Sequence, residues 1–470
     1  TGKWPKGRPQ ISPRVGFNWD IKGDKSLVLR GGLGLFQGRL PLVFFTNMPT
    51  NGGLVQYQAQ LSSKKNYDMT KFNGGLVCDA NGKPTIEALR QFLVNNFGMP
   101  TEVKPEDGTL PATISAVSPK FKMPQVWKTS VALDYNIPVK FPFTVTVEGT
   151  FEKNINAACI SDWSIPSVGG FARFNGVDNR PVYPAGFRTG TAAFVLENTS
   201  KGYSWIANVN LTAKPADWVT LTASYTHTVR KEITGMPGSA AESAFTYVPT
   251  YEGPNNIKLH NSQYVTPDRV FATATLHDKW ANHYSFIYEA WRGGYSYSYM
   301  TVNDMNGDGY NYDAIYIPTD AEVADGSFRF VSQDDAERFM AYVHNNSYLK
   351  KNQGKYAEGY SLYSPWVHRL DFKYEHDFKF KIGSTKHMFK VSFDIKNVLN
   401  LFNSSWGVSK GLNSEIGSDA RILKYEGVDA QGYATFSTPE AINGNTKTFV
   451  PIHAIGQCWN AAIGIKYIFN

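Results

Sequence analysis

Hard oxygen ligands crowd one stretch of this sequence, Asp304-Met305-Asn306-Gly307-Asp308-Gly309-Tyr310-Asn311-Tyr312-Asp313. Oxygen-bearing side chains take its first, third and fifth places and glycine its sixth, which is how a calcium loop begins. Ca2+ gathers about six to eight oxygens in flexible geometry, so Asp304, Asn306 and Asp308 would offer side chains and Tyr310 its backbone carbonyl. An EF-hand needs glutamate at the twelfth place, where Ile315 stands, and Asp313 closes the shell instead. The spacing also fits a plain Asx/Gly turn or another metal. The ion expected here is structural, and no catalytic cofactor is indicated.

A second group is aromatic. Trp291-Arg292-Gly293-Gly294-Tyr295-Ser296-Tyr297-Ser298-Tyr299 puts Tyr295, Tyr297 and Tyr299 on one face of an extended segment, and Trp406 follows Asn403-Ser404-Ser405. Such rings form either an interfacial girdle or a stacking surface for a sugar or peptide ligand. No GxSxG, HExxH, P-loop or placed nucleophile–base pair accompanies them, so the chain reads as a non-enzyme.

The elements that must carry these groups show in the composition. Aromatic residues make up 14% of the 470 residues and charged ones only 19%, yet mean hydropathy is −0.33. No apolar run reaches the roughly 18–20 residues of a membrane helix. A barrel strand dilutes hydropathy in this way, because only alternate side chains meet lipid. The net charge of +7 comes from scattered Lys and Arg with no dense basic block, which argues against nucleic-acid binding.

Period-two alternation over about ten residues recurs along the chain, the length a tilted strand needs to cross a bilayer. In 386–397 the apolar set is Phe389, Val391, Phe393 and Ile395, with Lys390, Ser392, Asp394 and Lys396 opposite. In 366–378, Arg369, Asp371, Lys373, Glu375 and Asp377 share one face and suit a water-filled lumen. Further candidates are 12–20, 26–36, 125–136, 143–151, 203–211, 219–229, 267–277, 282–292 and 459–469. That makes about eleven strands.

Short links near 21–25, 137–142, 214–217, 278–281 and 379–385 alternate with long ones over 37–124, 154–202, 230–266, 293–364 and 398–456. Short–long alternation is the grammar of outer-membrane barrels, with periplasmic turns and extracellular loops. Two loop helices are expected, one capped by Thr85 and one by Ser332, both packing loops onto the rim. Cys78, Cys159 and Cys458 all fall toward the outer side, where one disulfide tying 37–124 to its neighbour is conceivable, although the odd count weakens it. An odd open sheet leaves unpaired edges in lipid, so further strands from the same or another chain are expected to close the wall.

The run Pro9–Asp20, PQISPRVGFNWD, followed by Ser26–Arg39, SLVLRGGLGLFQGR, resembles the mid-barrel signature of TonB-dependent receptors. FKMPQVWKTSVALDY from Phe121, ENTSKGYS from Glu197, DMNGDG from Asp304 and DIKNVLNLFN from Asp394 are similar, in the same order, to the Oar-like branch. The resemblance implies that residues 1–470 are the C-terminal half of an all-β, antiparallel barrel of about 22 strands, with plug and N-terminal strands outside this chain. It implies the Gram-negative outer membrane and its lipid as setting. Its implied partners are the missing barrel half and plug, the TonB energy-coupling complex, and an unidentified extracellular nutrient. A non-transporting adhesin or assembly scaffold, or a passive porin, would use the same barrel.

Overall fold

The computed structural model describes residues 6–52, 57, 61, 67–72, 74–108, 111–166, 168–187 and 191–469. Its wall is one antiparallel meander of eleven long strands: β1 (Arg14–Asp20), β2 (Leu27–Gln37), β3 (Gln125–Asn136), β4 (Phe143–Asn154), β5 (Tyr203–Ala216), β6 (Val219–Glu232), β7 (Asp268–His277), β8 (Asn282–Arg292), β9 (Val367–Ile382), β10 (Thr385–Lys396) and β11 (Asn460–Phe469). Each pairs with its neighbours in sequence, and the two-residue strand His260–Asn261 adds to β6. All eleven expected strands are present, with β5 and β9 running several residues further than their alternation indicated.

Register explains why alternation was a faithful guide. Between β9 and β10, Phe372 lies opposite Ile395, Tyr374 opposite Phe393 and Phe378 opposite Phe389, while Lys373 meets Asp394 and Asp377 meets Lys390. A slip by one residue would exchange the two faces, so burial of one kind of side chain against lipid pins the pairing. On the charged face Lys390 lies 3.3 Å from Asp377 and Lys373 3.2 Å from Glu375. On the other face Phe286 packs on Phe372 with ring centroids 5.0 Å apart, and Val147, Trp205 and Ile463 stand exposed. That apolar exposure fits hydrocarbon, since barrels put their outward residues into lipid.

Tight turns close the short end. Asp278 accepts the backbone N–H groups of Trp280 and Asn282 at 2.9 and 3.0 Å, which holds Ala281 at φ +64°. Asp20 does the same for Gly23 and Lys25.

The five long connections co-fold into a cap at the other end. Phe174 of the β4–β5 connection joins Tyr299, Ile315, Phe339, Val343 and Leu349 of the β8–β9 connection and Ile416, Ile422 and Phe436 of the β10–β11 connection in one apolar core. A second core gathers Phe44, Phe45, Met48 and Phe121 of the β2–β3 connection, Leu196 of the β4–β5 connection and Ala244 of the β6–β7 connection. A four-stranded sheet, Met300–Thr301, Arg421–Val428, Ala434–Ser437 and Arg329–Phe330, stitches the last two connections together.

Both expected helices form where their caps placed them. Thr85 accepts from Ala88 N–H ahead of α1 (Ile86–Phe97), and Ser332 from Asp335 N–H ahead of α2 (Gln333–Asn345). Their packing differs from the expected seat on the rim. α2 buries Phe339, Met340 and Val343 inside the cap core, whereas α1 buries none of its side chains and sets Phe92 and Phe97 around Phe72. The conceivable disulfide is corrected as well: Cys78, Cys159 and Cys458 are all free, Cys159 buried in the strand Ala157–Asp162 and the other two exposed. Separate positions in the fold leave them no partner. Burial pushes the Cys159 thiol up to about 12.

Candidate functional site in the cap

The oxygen-rich loop follows Tyr299 as expected, and its acids work first on their own backbone. Asp304 accepts from Gly307 and Gly309 N–H at 2.9 and 2.8 Å, Asn306 from Asp308 N–H at 3.1 Å, and Asp308 from Tyr310 N–H at 2.8 Å. Gly307 and Gly309 take φ of +77° and +87°, a region glycine enters without steric cost. Asn306, Asp308 and Asp313 are almost fully buried.

Asp313 is drawn away from its expected role. One of its oxygens receives Arg180 Nη1 at 3.1 Å and the other receives Met305 N–H at 3.0 Å. Arg180, itself completely buried, also grips Asp178 through Nε and Nη2 and donates to the Ala314 carbonyl. Burial, with Asp313 and Asp304 close by, pushes the Asp308 carboxyl up to about 8; burial raises Asp313 to about 6 against the pull of Arg180. Tyr310 turns its ring toward Phe245, with centroids 5.5 Å apart. Among the described residues, no group of three or more His, Cys, Asp or Glu side chains is arranged to hold a metal ion. The loop thus brings the five expected residues together in sequence order, but as a hydrogen-bonded turn in which Arg180 already neutralises one acid.

The aromatic set divides. Tyr295 and Tyr297 pack edge to face with centroids 4.9 Å apart and line a cleft of about 180 Å3. Tyr299 does not join them: it is fully buried, stacks on Tyr348 at 5.7 Å and accepts a hydrogen bond from Asn346, so it belongs to the cap core. The odd residue of the Tyr-Ser-Tyr-Ser-Tyr run enters the core because the chain has already left the wall at Arg292, pairs with Leu362–Tyr363 through Ser296–Tyr297 and passes to another sheet at Met300. Trp406 stands elsewhere, half exposed beside Asn400 and Asn403 and outside the cleft.

What completes the cleft comes from distant segments. Tyr247 and Tyr264 arrive from the β6–β7 connection, Tyr312 and Tyr360 from the β8–β9 connection, and Asp419 from the β10–β11 connection. Their spacing in the chain carries no signal, since only the folded cap makes them neighbours. Tyr360 is held at φ +54°, a rare setting for an aromatic residue. Its N–H donates to Ser298, its hydroxyl donates to the Tyr247 carbonyl and its ring packs on His260. Burial, helped by the Asp419 carboxylate, raises Tyr295, Tyr297 and Tyr360 and pushes Tyr312 up to about 12. A larger cavity of about 580 Å3 shares Tyr264 with the cleft and opens onto Arg230 and Glu232, which lie on the polar face of β6.

A family model described as an outer membrane beta barrel domain matches residues 3–417. Among solved structures, the outer membrane transporter YddB from Escherichia coli aligns with 97% of this chain and 41% of its own, at TM-score 0.43 and 9% identity. A mutant of the ferric enterobactin receptor (PfeA) from Pseudomonas aeruginosa aligns with 98% of this chain and 40% of its own, at TM-score 0.39 and 7% identity. This chain therefore spans about two fifths of the length of each. No protein of curated function matches it. On the family match, and with an antiparallel wall whose alternate residues face lipid, this chain belongs to the outer-membrane β-barrel family and resides in the outer membrane of a Gram-negative bacterium.

Proposed function

We propose that the chain forms wall and cap of a TonB-dependent receptor of the Oar-like branch, which imports a nutrient captured by its long connections. The observation that carries this reading is the cap: all five long connections share two apolar cores. A passive pore has no need to fold its loops together over one end of the wall. On this reading the long connections are extracellular and the short turns periplasmic. β1 and β11 sit at opposite edges of the sheet. Within hydrocarbon each unpaired backbone group costs several kcal/mol, so further strands come from the rest of the same polypeptide or from a second chain, and the receptor resemblance adds a plug and a TonB-contacting segment. The resemblance to TonB-dependent receptors sets that wall at about 22 strands. The ligand surface assigned to Tyr295 and Tyr297 faces the cleft.

We further propose Ca2+ as a structural ion of the 304–313 loop, held by Asp304, Asn306, Asp308 and the Tyr310 carbonyl. Support comes from the Asp308 carboxyl, buried beside Asp304 and Asp313, whose ionised form a cation would favour; Arg180 meets Asp313 and Asp178 instead. Binding would require Asp304 and Asp308 to draw their oxygens together.

The transport reading is tested on the complete receptor purified from outer membranes. Planar bilayers should show no steady open channel, and the periplasmic domain of TonB should bind it. A constant ohmic conductance with no TonB binding would identify a passive porin and overturn the reading.

A further inference from the structure

The cleft beside Tyr295 is lined chiefly by tyrosines and carries one carboxylate. Tyr295 has its hydroxyl engaged by Gln263 Nε2 at 2.8 Å, Tyr360 donates to the Tyr247 carbonyl at 3.0 Å, and Tyr297 is bonded to the Leu412 backbone. Both serines are committed too, Ser296 to the Gln263 carbonyl and Ser298 to the Tyr360 N–H. Those groups are spent inside the protein, and what the cleft keeps for a ligand is the ring faces and hydroxyls of Tyr247, Tyr264 and Tyr312 and the carboxylate of Asp419.

Asp419 is the one charged residue lining the cleft among the described residues. Its side chain is 30% exposed, takes a 3.3 Å hydrogen bond from its neighbour Ser418 and lies 3.8 Å from Arg421. Both contacts fall on Asp419 Oδ2, and the guanidinium hydrogens of Arg421 go to the Thr301, Val302 and Asn311 carbonyls, so Oδ1 is left to a ligand. That same guanidinium sits 5.6 Å from the Tyr312 ring, in the adjoining cavity. The Tyr247–Tyr312 pair, 5.3 Å apart, and the Tyr264–Tyr295 pair, 5.8 Å apart, supply the other ring surfaces. Electron-rich ring faces and a carboxylate attract the same thing, a positive charge.

We propose that this cleft captures an organic cation, an ammonium or guanidinium group carried by the imported ligand, with its charge toward Asp419 and its alkyl part against Tyr295 and Tyr312. The assignment rests on the receptor reading above and adds the chemical class of the ligand. At about 180 Å3 the cleft suits one basic side chain or small amine, being smaller than the roughly 300 Å3 at which pockets for whole drug-sized ligands begin.

The test uses n-butylammonium, tetramethylammonium and methyl glucoside as probes, with calorimetry and saturation-transfer NMR on the complete receptor in detergent. The expected result is binding of both ammonium probes, weakened about tenfold in Asp419→Asn and several-fold in Tyr295→Leu. Tyr295→Phe keeps the ring face and should bind like the native protein, which separates loss of the ring from loss of the fold. Equal ammonium binding to native receptor and Asp419→Asn would overturn the proposal. Binding of methyl glucoside with silence from both ammonium probes would also overturn it while leaving a ligand cleft in place. Silence from all three would remove the cleft from the receptor reading as well.

Discussion

The wall and the cap of this protein are stabilised in opposite ways. In the wall, each strand pairs with its sequence neighbour, apolar side chains point outward and the charged side chains of β9 and β10 form ion pairs on the other face. In the cap, residues more than a hundred positions apart bury aromatic rings together, and a fully buried arginine holds two acids. The wall depends on lipid to cover its surface, whereas the cap supplies its own interior. The difference teaches where a substitution should hurt: on the outside of the wall and on the inside of the cap.

The largest effects are expected in the cap. Phe339→Ala removes a fully buried ring shared by three connections and should cost about 3–5 kcal/mol. Limited proteolysis should then cut the long connections while the strands stay protected. Equal protection of cap and wall in the variant would break the contrast. Arg180→Ala leaves Asp178 and Asp313 buried without their cation, again a loss of about 3–5 kcal/mol. Hydrogen exchange across 299–317 is the measurement, with faster exchange expected there and little change in β4 and β5.

Smaller effects belong to the wall. Val147→Lys, at the middle of β4 on the apolar face, puts a charge where the side chain is half exposed to lipid. A cost of about 2–4 kcal/mol follows for a midplane position, read by urea unfolding in phospholipid vesicles. Lys373→Ala on the charged face breaks contacts to Glu375 and Asp394, and such partly exposed pairs contribute only about 0–1 kcal/mol. Similar costs for the two variants would show that the faces have been assigned wrongly.

The smallest differences are chemical. Because burial raises the Cys159 thiol to about 12, its reactive thiolate fraction stays negligible at pH 8 and grows only as pH approaches that value. Iodoacetamide at pH 8 should modify the exposed Cys78 and Cys458 and spare Cys159 until the cap unfolds. Mass spectrometry of tryptic peptides reads the outcome. Ca2+ binding to the 304–313 loop should slow hydrogen exchange there, and Asp308→Ala should abolish the change; identical exchange with and without Ca2+ would leave the loop a plain turn.

The sequence revealed the wall because its physics is local. Period-two alternation, as in Phe389, Val391 and Phe393, is imposed by the pleat itself, and a hairpin pairs residues that are close in the chain. Turn chemistry at Asp20 and Asp278 and the caps Thr85 and Ser332 were legible for the same reason. The cap hid because its contacts are long-range. Nothing adjacent to Tyr299 distinguishes it from Tyr295 and Tyr297, yet one is core and two line the cleft. Arg180 gave no hint that it would claim Asp313, and Asp419 lies more than a hundred residues from the tyrosine run it faces.

The central claim, that a lipid-bound wall carries its folded cap on the extracellular side, is tested most directly by labelling intact cells with a membrane-impermeant maleimide. In a background of Cys78→Ser, Cys159→Ala and Cys458→Ser, single cysteines are placed at Asp334, on the exposed face of α2, and at Trp280, in the exposed β7–β8 turn. The account predicts labelling of Asp334→Cys in intact cells and of Trp280→Cys only after the outer membrane is opened. Labelling of Trp280→Cys from outside, with Asp334→Cys protected, would contradict it.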